Sequence, residues 1–173
     1  MISKLHLSLS LVVSYLIFYY LLYFDKISAI ILSLIVAAFS SIPDFDWKIY
    51  SWSSRQLVLL NRNKLLKLLV FPYYIFILSL NKIFRHRTLT HSLFFIIVLI
   101  LLGHFLFPVF YLMALAVLLH IVEDMFTVSG VPLFYPISRK TYKIPIINTK
   151  KHTREQKIAA YILCILFIIL LIL

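Results

Sequence analysis

His120, Glu123 and Asp124 stand close together in a chain that is otherwise poor in ionisable groups. On a helix, residues four apart project about 40° from each other. His120 and Asp124 can therefore share one ion. Thr127 continues that face and Glu123 lies beside it. The plainer reading is a helix end where two acids meet solvent. Acids at a helix C-terminus oppose the macrodipole, so two neighbouring ones require a cation nearby, whether a metal or a Lys/Arg.

His86 and His91 are five positions apart, about 140° on one helix. One is therefore expected on an approach loop and the other in the first turn of the next helix. The same stretch also reads as a basic helix start, where Arg85 and Arg87 meet a lipid phosphate. Asp44 and Asp46 flank Phe45 behind Pro43. In an extended turn, residues two apart point the same way. Paired carboxylates share a proton or hold a metal, although Pro-Asp also favours an ordinary turn. His6 gains interest only because a helical hairpin would bring it beside Asp44. His152 and Glu155 read as a solvated loop end. Cys164 is the single cysteine, so thiolate ligation and an intrachain disulfide are excluded.

Helices must position these groups. Residues 5–24 form an apolar run ending in an aromatic belt. It is too long for a signal peptide and lacks a small-residue cleavage site. After a turn at Asp25-Lys26, residues 27–42 return as a second helix that Pro43 ends. Residues 47–81 read as an interfacial or re-entrant segment, interrupted by Arg55, Arg62, Lys64, Lys67 and Pro72. Residues 93–107 form a further helix, with Thr88 or Thr90 as its expected cap. Gly103 and Pro108 mark a turn. Residues 109–127 return as a helix that the stretch from Ser129 to Pro132 stops. A basic loop, 133–157, precedes a C-terminal apolar anchor at 158–173.

Apolar residues make up 63% of the 173-residue chain and charged ones only 13%. So few polar groups cannot cover a soluble enzyme, and disordered or disulfide-scaffold proteins are excluded as well. The expected class is all-α: a single-domain, polytopic membrane helical bundle over 1–173. Formal net charge is +11. If residues 47–81 cross an even number of times, every Lys and Arg except Lys26 falls on the side that carries His6, Asp44, Asp46, 85–92 and 133–157. That bias makes the side cytoplasmic, with the N-terminus and the candidate site on it. No specific nucleic acid is expected, since topology and anionic lipid already account for the charge.

Several motifs together match a known pattern. They are Ile42-Pro43-Asp44-Phe45-Asp46; His86-Arg87-Thr88-Leu89-Thr90-His91-Ser92-Leu93; His120-x-x-Glu123-Asp124-x-x-Thr127-x-x-Gly130-Val131; and Leu133-Phe134-Tyr135-Pro136. In order and spacing they resemble the YdjM-like family of inner-membrane metal-dependent hydrolases. That family is similar, more distantly, to zinc-dependent phospholipases C and single-strand nucleases. The resemblance implies a metal-activated water attacking a phosphoester. It implies a principal ion on His120, Asp124, Asp44 and one of His86 or His91, and a second on His6 with Asp124 bridging. Asp46 or Glu123 would orient or deprotonate the water, and Arg85 and Arg87 would grip the phosphate. Zinc is the expected ion, one or two per chain, with manganese and iron also compatible.

The sequence thus points to a membrane-bound, metal-dependent phosphoester hydrolase at the cytoplasmic interface of the inner membrane. Its partners would be membrane lipids and an amphiphilic phosphoester substrate. The alternatives are a cation-binding transporter using the same ligands, and a non-catalytic adaptor acting through its basic loop, 139–157.

Overall fold

The computed structural model describes residues 2–84, 88–149 and 151–172. It is all-α, with eight α-helices among those residues. Helix α1 (Ser3–Leu16) runs on through a wider π turn (Ile17–Leu21), giving one continuous apolar helix of 19 residues. The chain reverses at Asp25, whose carboxylate accepts from the Ser28 backbone N–H at 2.9 Å and caps α2 (Lys26–Phe39). That hydrogen bond holds the exposed Asp25 carboxyl below its usual range. The cap is therefore in place at neutral pH and is lost as acid protonates the carboxyl.

Residues 47–81 do form a hairpin. Its arms are α3 (Phe45–Arg62) and α5 (Phe71–Ile83), joined by the short α4 (Lys64–Leu69). Pro72 stands in the first turn of α5, where its missing N–H costs no helical bond. The Asn81 amide locks the arms by donating to Ser54 Oγ at 2.7 Å and Ser53 Oγ at 3.0 Å. Arg62, Lys64 and Lys67 sit at the far end of the hairpin, about 27 Å from the start of α3 by helical rise.

Helix α6 (Leu93–Phe105) is capped by Ser92, whose Oγ accepts from the Phe95 N–H at 3.3 Å. Neither threonine expected in that role performs it. The Thr88 hydroxyl donates to the Ile83 carbonyl, and the Thr90 hydroxyl donates to Asp46. Gly103 lies inside α6 rather than in a turn, because a Cβ there would meet the Tyr111 ring of α7 at 3.1 Å. Helix α7 (Val109–Met125) ends two residues short of the expected boundary. Helix α8 (Thr153–Ile172) starts five residues before the apolar anchor read from the sequence. His152 and Glu155 are exposed at its start.

Helix α1 packs on α2, α7 and α8; α2 and α6 both pack on α7. One core gathers Tyr15, Phe18, Val36, Ala116 and Phe167; a second gathers Ile96, Leu99, Val117, Ile121 and Val131. Small residues, among them Ala29, Ala37, Ala114 and Ala116, let the helices approach closely. Among the described residues two helices are long and apolar enough to cross a bilayer, Ser3–Leu21 and Thr153–Ile172. After α7 the chain reverses through Gly130, at φ 66°, and Val131 pairs with Tyr142 in an isolated antiparallel bridge. An added Cβ at Gly130 would stand 2.7 Å from the Tyr142 carbonyl oxygen. Gly130→Ala is therefore expected to destabilise the fold by about 1–3 kcal/mol. A lower thermal midpoint in detergent, with earlier proteolysis between 131 and 149, checks this.

Candidate metal centre

Asp124 is the hub. It lies one turn beyond His120 on α7, with its carboxylate fully buried. Three imidazoles turn their Nε2 atoms towards it. His6 Nε2 lies 3.6 Å from Asp124 Oδ1, while His91 and His120 Nε2 lie 3.8 and 3.9 Å from Oδ2. His120 Nε2 is also 3.8 Å from Asp44 Oδ1. These separations are too long for hydrogen bonds. They come close to the roughly 3.3 Å edge of a tetrahedron built on metal–nitrogen bonds of about 2 Å.

Each ring is held from behind. His120 Nδ1–H donates to the Ser40 carbonyl at 2.7 Å. His6 Nδ1 lies 2.5 Å from Glu123 Oε2, joined by one proton, and the Ser10 hydroxyl donates to Glu123 Oε1 at 3.4 Å. His91 Nδ1 lies 3.3 Å from Asp46 Oδ2 and 3.1 Å from Thr90 Oγ1, and the Thr90 hydroxyl donates to Asp46 at 3.0 Å. His6 and His120 stack with ring centroids 4.0 Å apart, and His91 meets His120 edge-on.

The local chain explains these placements. His6 and Ser10 are one turn apart on α1 and face α7. Asp44 and Asp46 do not point the same way, as an extended turn would have them. Phe45 begins α3, and on a helix residues two apart diverge by about 200°. Asp46 therefore turns inward to His91, while Asp44 faces His120 and keeps 35% of its side chain accessible. His91 stands in a short 3-10 turn (Leu89–His91) ahead of α6 rather than in its first helical turn. The acids ending α7 are buried, so the solvent-exposed reading fails for both Glu123 and Asp124.

The structure thus brings together His6, Asp44, Asp46, His91, His120, Glu123 and Asp124. His86, Arg87 and Arg85 lie outside the described residues. His6 meets Glu123, Asp124 and the His120 ring rather than Asp44. Sequence reasoning missed Ser10, Ser40 and Thr90. Ser10 carries a signal, a hydroxyl one turn after His6 in an apolar helix. Ser40 acts through its backbone carbonyl, which no residue type announces.

Two sets of three could hold an ion: His6, His120 and Asp124; and Asp44, His91 and His120. Within each, one ligand atom per residue lies within 4.8 Å of the others. The fit is tested by His120 Nε2, a buried lone pair with no hydrogen-bond partner among the described residues, on a ring whose other nitrogen is committed to Ser40. An unsatisfied buried acceptor costs about 1–3 kcal/mol, a loss that ligation would remove. The cluster opens at Asp44, which shares a cleft of about 350 Å³ with Ser3, Trp47 and Lys48.

An all-α protein with apolar helices of spanning length and a buried His/carboxylate cluster fit for a metal is the class these features define. The YdjM inner membrane protein family model matches residues 1–173, and the chain belongs to that family. Comparison with curated proteins and with solved structures gave no match.

Elemental analysis of the purified protein is expected to find a divalent transition metal in the wild type and almost none in Asp124→Ala. A stoichiometry near zero in both would remove the metal from this cluster.

Proposed function

We propose that the chain is a membrane-embedded, metal-dependent hydrolase of phosphoesters, with its site at the cytoplasmic interface of the inner membrane. The observation that carries this reading is His120 Nε2, buried between Asp44 and Asp124 and without a hydrogen bond among the described residues. One lone pair binds one ion, so the two candidate sets cannot both take His120. One ion would be held by His120 with Asp44, His91 and Asp124, and a second would be held by His6 and Asp124.

Imidazole and carboxylate donors suit zinc, and manganese or iron also fit. A bound ion of this kind lowers the pKa of water to about 7 and stabilises displacement at phosphorus.

The chain's own residues prepare the site. Ser40 fixes the His120 tautomer that presents Nε2 inward. Glu123 shares one proton with His6 Nδ1 and so holds that ring in place. Asp46 and Thr90 set the His91 ring. Glu123 and Asp46 therefore act as positioning residues behind the histidines, which replaces the water-activating role first expected of them. Among the clustered carboxylates Asp44 alone reaches solvent, so substrate and water enter beside it, past Trp47 and Lys48.

The polytopic arrangement is part of the same proposal. Helix α8 turns Tyr161, Ile162, Ile165 and Ile168 outward, a surface suited to lipid. An amphiphilic phosphoester would reach the site from the same bilayer.

In detergent, hydrolysis of a fluorescent short-chain phospholipid should require added metal, stop with chelator and be absent in His120→Ala. Glu123→Gln, which replaces the carboxyl that shares a proton with His6 Nδ1, should weaken metal binding about tenfold. Metal uptake into liposomes without turnover would replace the hydrolase with a cation carrier.

A further inference from the structure

A second cavity carries none of the clustered ligands. It measures about 670 Å³ and lies between the α3–α5 hairpin and the chain after α7. Lys82 comes from one wall and Arg139 from the other, with Tyr50, Thr88 and Thr141 supplying hydroxyls. Among the described residues no carboxylate lines it. Among the described residues neither Lys82 nor Arg139 has an ion-pair partner, although both cations border one concavity.

The walls continue the segments that build the metal cluster. Tyr50 is one turn after Asp46 on α3, Thr88 leads into Thr90 and His91, and Ser129 and Gly130 follow Thr127. Asn81 pins the Lys82 end of α5 to α3, and the Val131–Tyr142 bridge holds the Arg139 segment against the turn at Gly130. The cavity is therefore set in fixed relation to the cluster. Two cations on opposite walls, hydroxyl donors between them and no acid describe a receptor for a compact dianion. Its size fits a small organic molecule better than a bare ion.

We propose that this pocket binds the phosphate-bearing end of a phosphoester, with Lys82 and Arg139 as its charge partners. That the bound ester is what the metal cluster cleaves rests on the hydrolase reading; the binding itself does not. A membrane lipid headgroup and a soluble phosphoester present the same group.

The full chain in detergent, with chelator present, is titrated with inorganic phosphate and separately with monomeric short-chain phosphatidylglycerol. At least one probe should bind the wild type. The double variant Lys82→Gln/Arg139→Gln should weaken that binding by about tenfold or more, since it removes both charge-assisted donors. Lys151→Gln/Lys157→Gln, which removes equal charge elsewhere, and Asp124→Ala should leave it unchanged. Both cations are exposed, so the substitutions spare the core. Binding of free phosphate identifies a soluble anion as sufficient, and binding of the lipid alone identifies a headgroup. The proposal is overturned if neither probe binds without metal, if both double variants lose binding equally, or if Lys82→Gln/Arg139→Gln binds as the wild type does. Phosphate binding retained in metal-free Asp124→Ala keeps the pocket even where the metal reading fails. Loss of the pocket with metal content intact leaves that reading standing.

Discussion

A carboxylate sealed from water at Asp124, faced by three imidazole nitrogens, is the constraint that the rest of the structure serves. Removing an ionised carboxylate from water costs several kcal/mol unless opposite charge or good hydrogen bonds compensate. A cation standing among the three Nε2 atoms would add opposite charge at this point, and the surroundings hold the rings towards it. Each ring is clamped through Nδ1 by a partner from a different part of the chain: the Ser40 carbonyl, Glu123, or Asp46 with Thr90. Clamping from behind fixes where Nε2 points.

That requirement explains much of the topology. Helix α7 supplies His120, Glu123 and Asp124, so it packs against α1, α2 and α6. Helix α1 must bring His6 to the same level, and the end of α2 must bring the Ser40 carbonyl. The 3-10 turn before α6 holds His91 in a position that an ordinary helix start would not reach. The hairpin lies outside this core and contributes Asp44 and Asp46 only from the beginning of α3.

The pairing of His120 with Asp124 was legible because it depends on one periodicity, that of a helix. Membership of the other inward groups was legible from their concentration at helix ends in a chain with few charges. Direction was not. Asp44 and Asp46 diverge because Phe45 starts a helix immediately after the Pro43 turn, and residue types alone do not separate that from an extended turn. The cap of α6 was misplaced for a related reason. Thr88, Thr90 and Ser92 are all competent N-caps, and Asp46, distant in sequence, takes the Thr90 hydroxyl. Helix α7 stops near 125 where the Met125 and Phe126 carbonyls accept from the backbone N–H groups of Ile144, Ile146 and Ile147, a pairing that local residue types do not announce. Composition points to a polytopic bundle, yet among the described residues only Ser3–Leu21 and Thr153–Ile172 have spanning length, because Lys26–Phe39 and Leu93–Phe105 are shorter helices.

His6 and Glu123 are 117 residues apart. Ribosomes add about 5–20 residues per second, so the first imidazole leaves the exit tunnel roughly ten seconds before its acid is made. Through that interval α1 carries a polar ring with its lasting neighbour still untranslated. Maturation of the centre therefore comes late in biogenesis, after the seventh helix has emerged and folded back on the first.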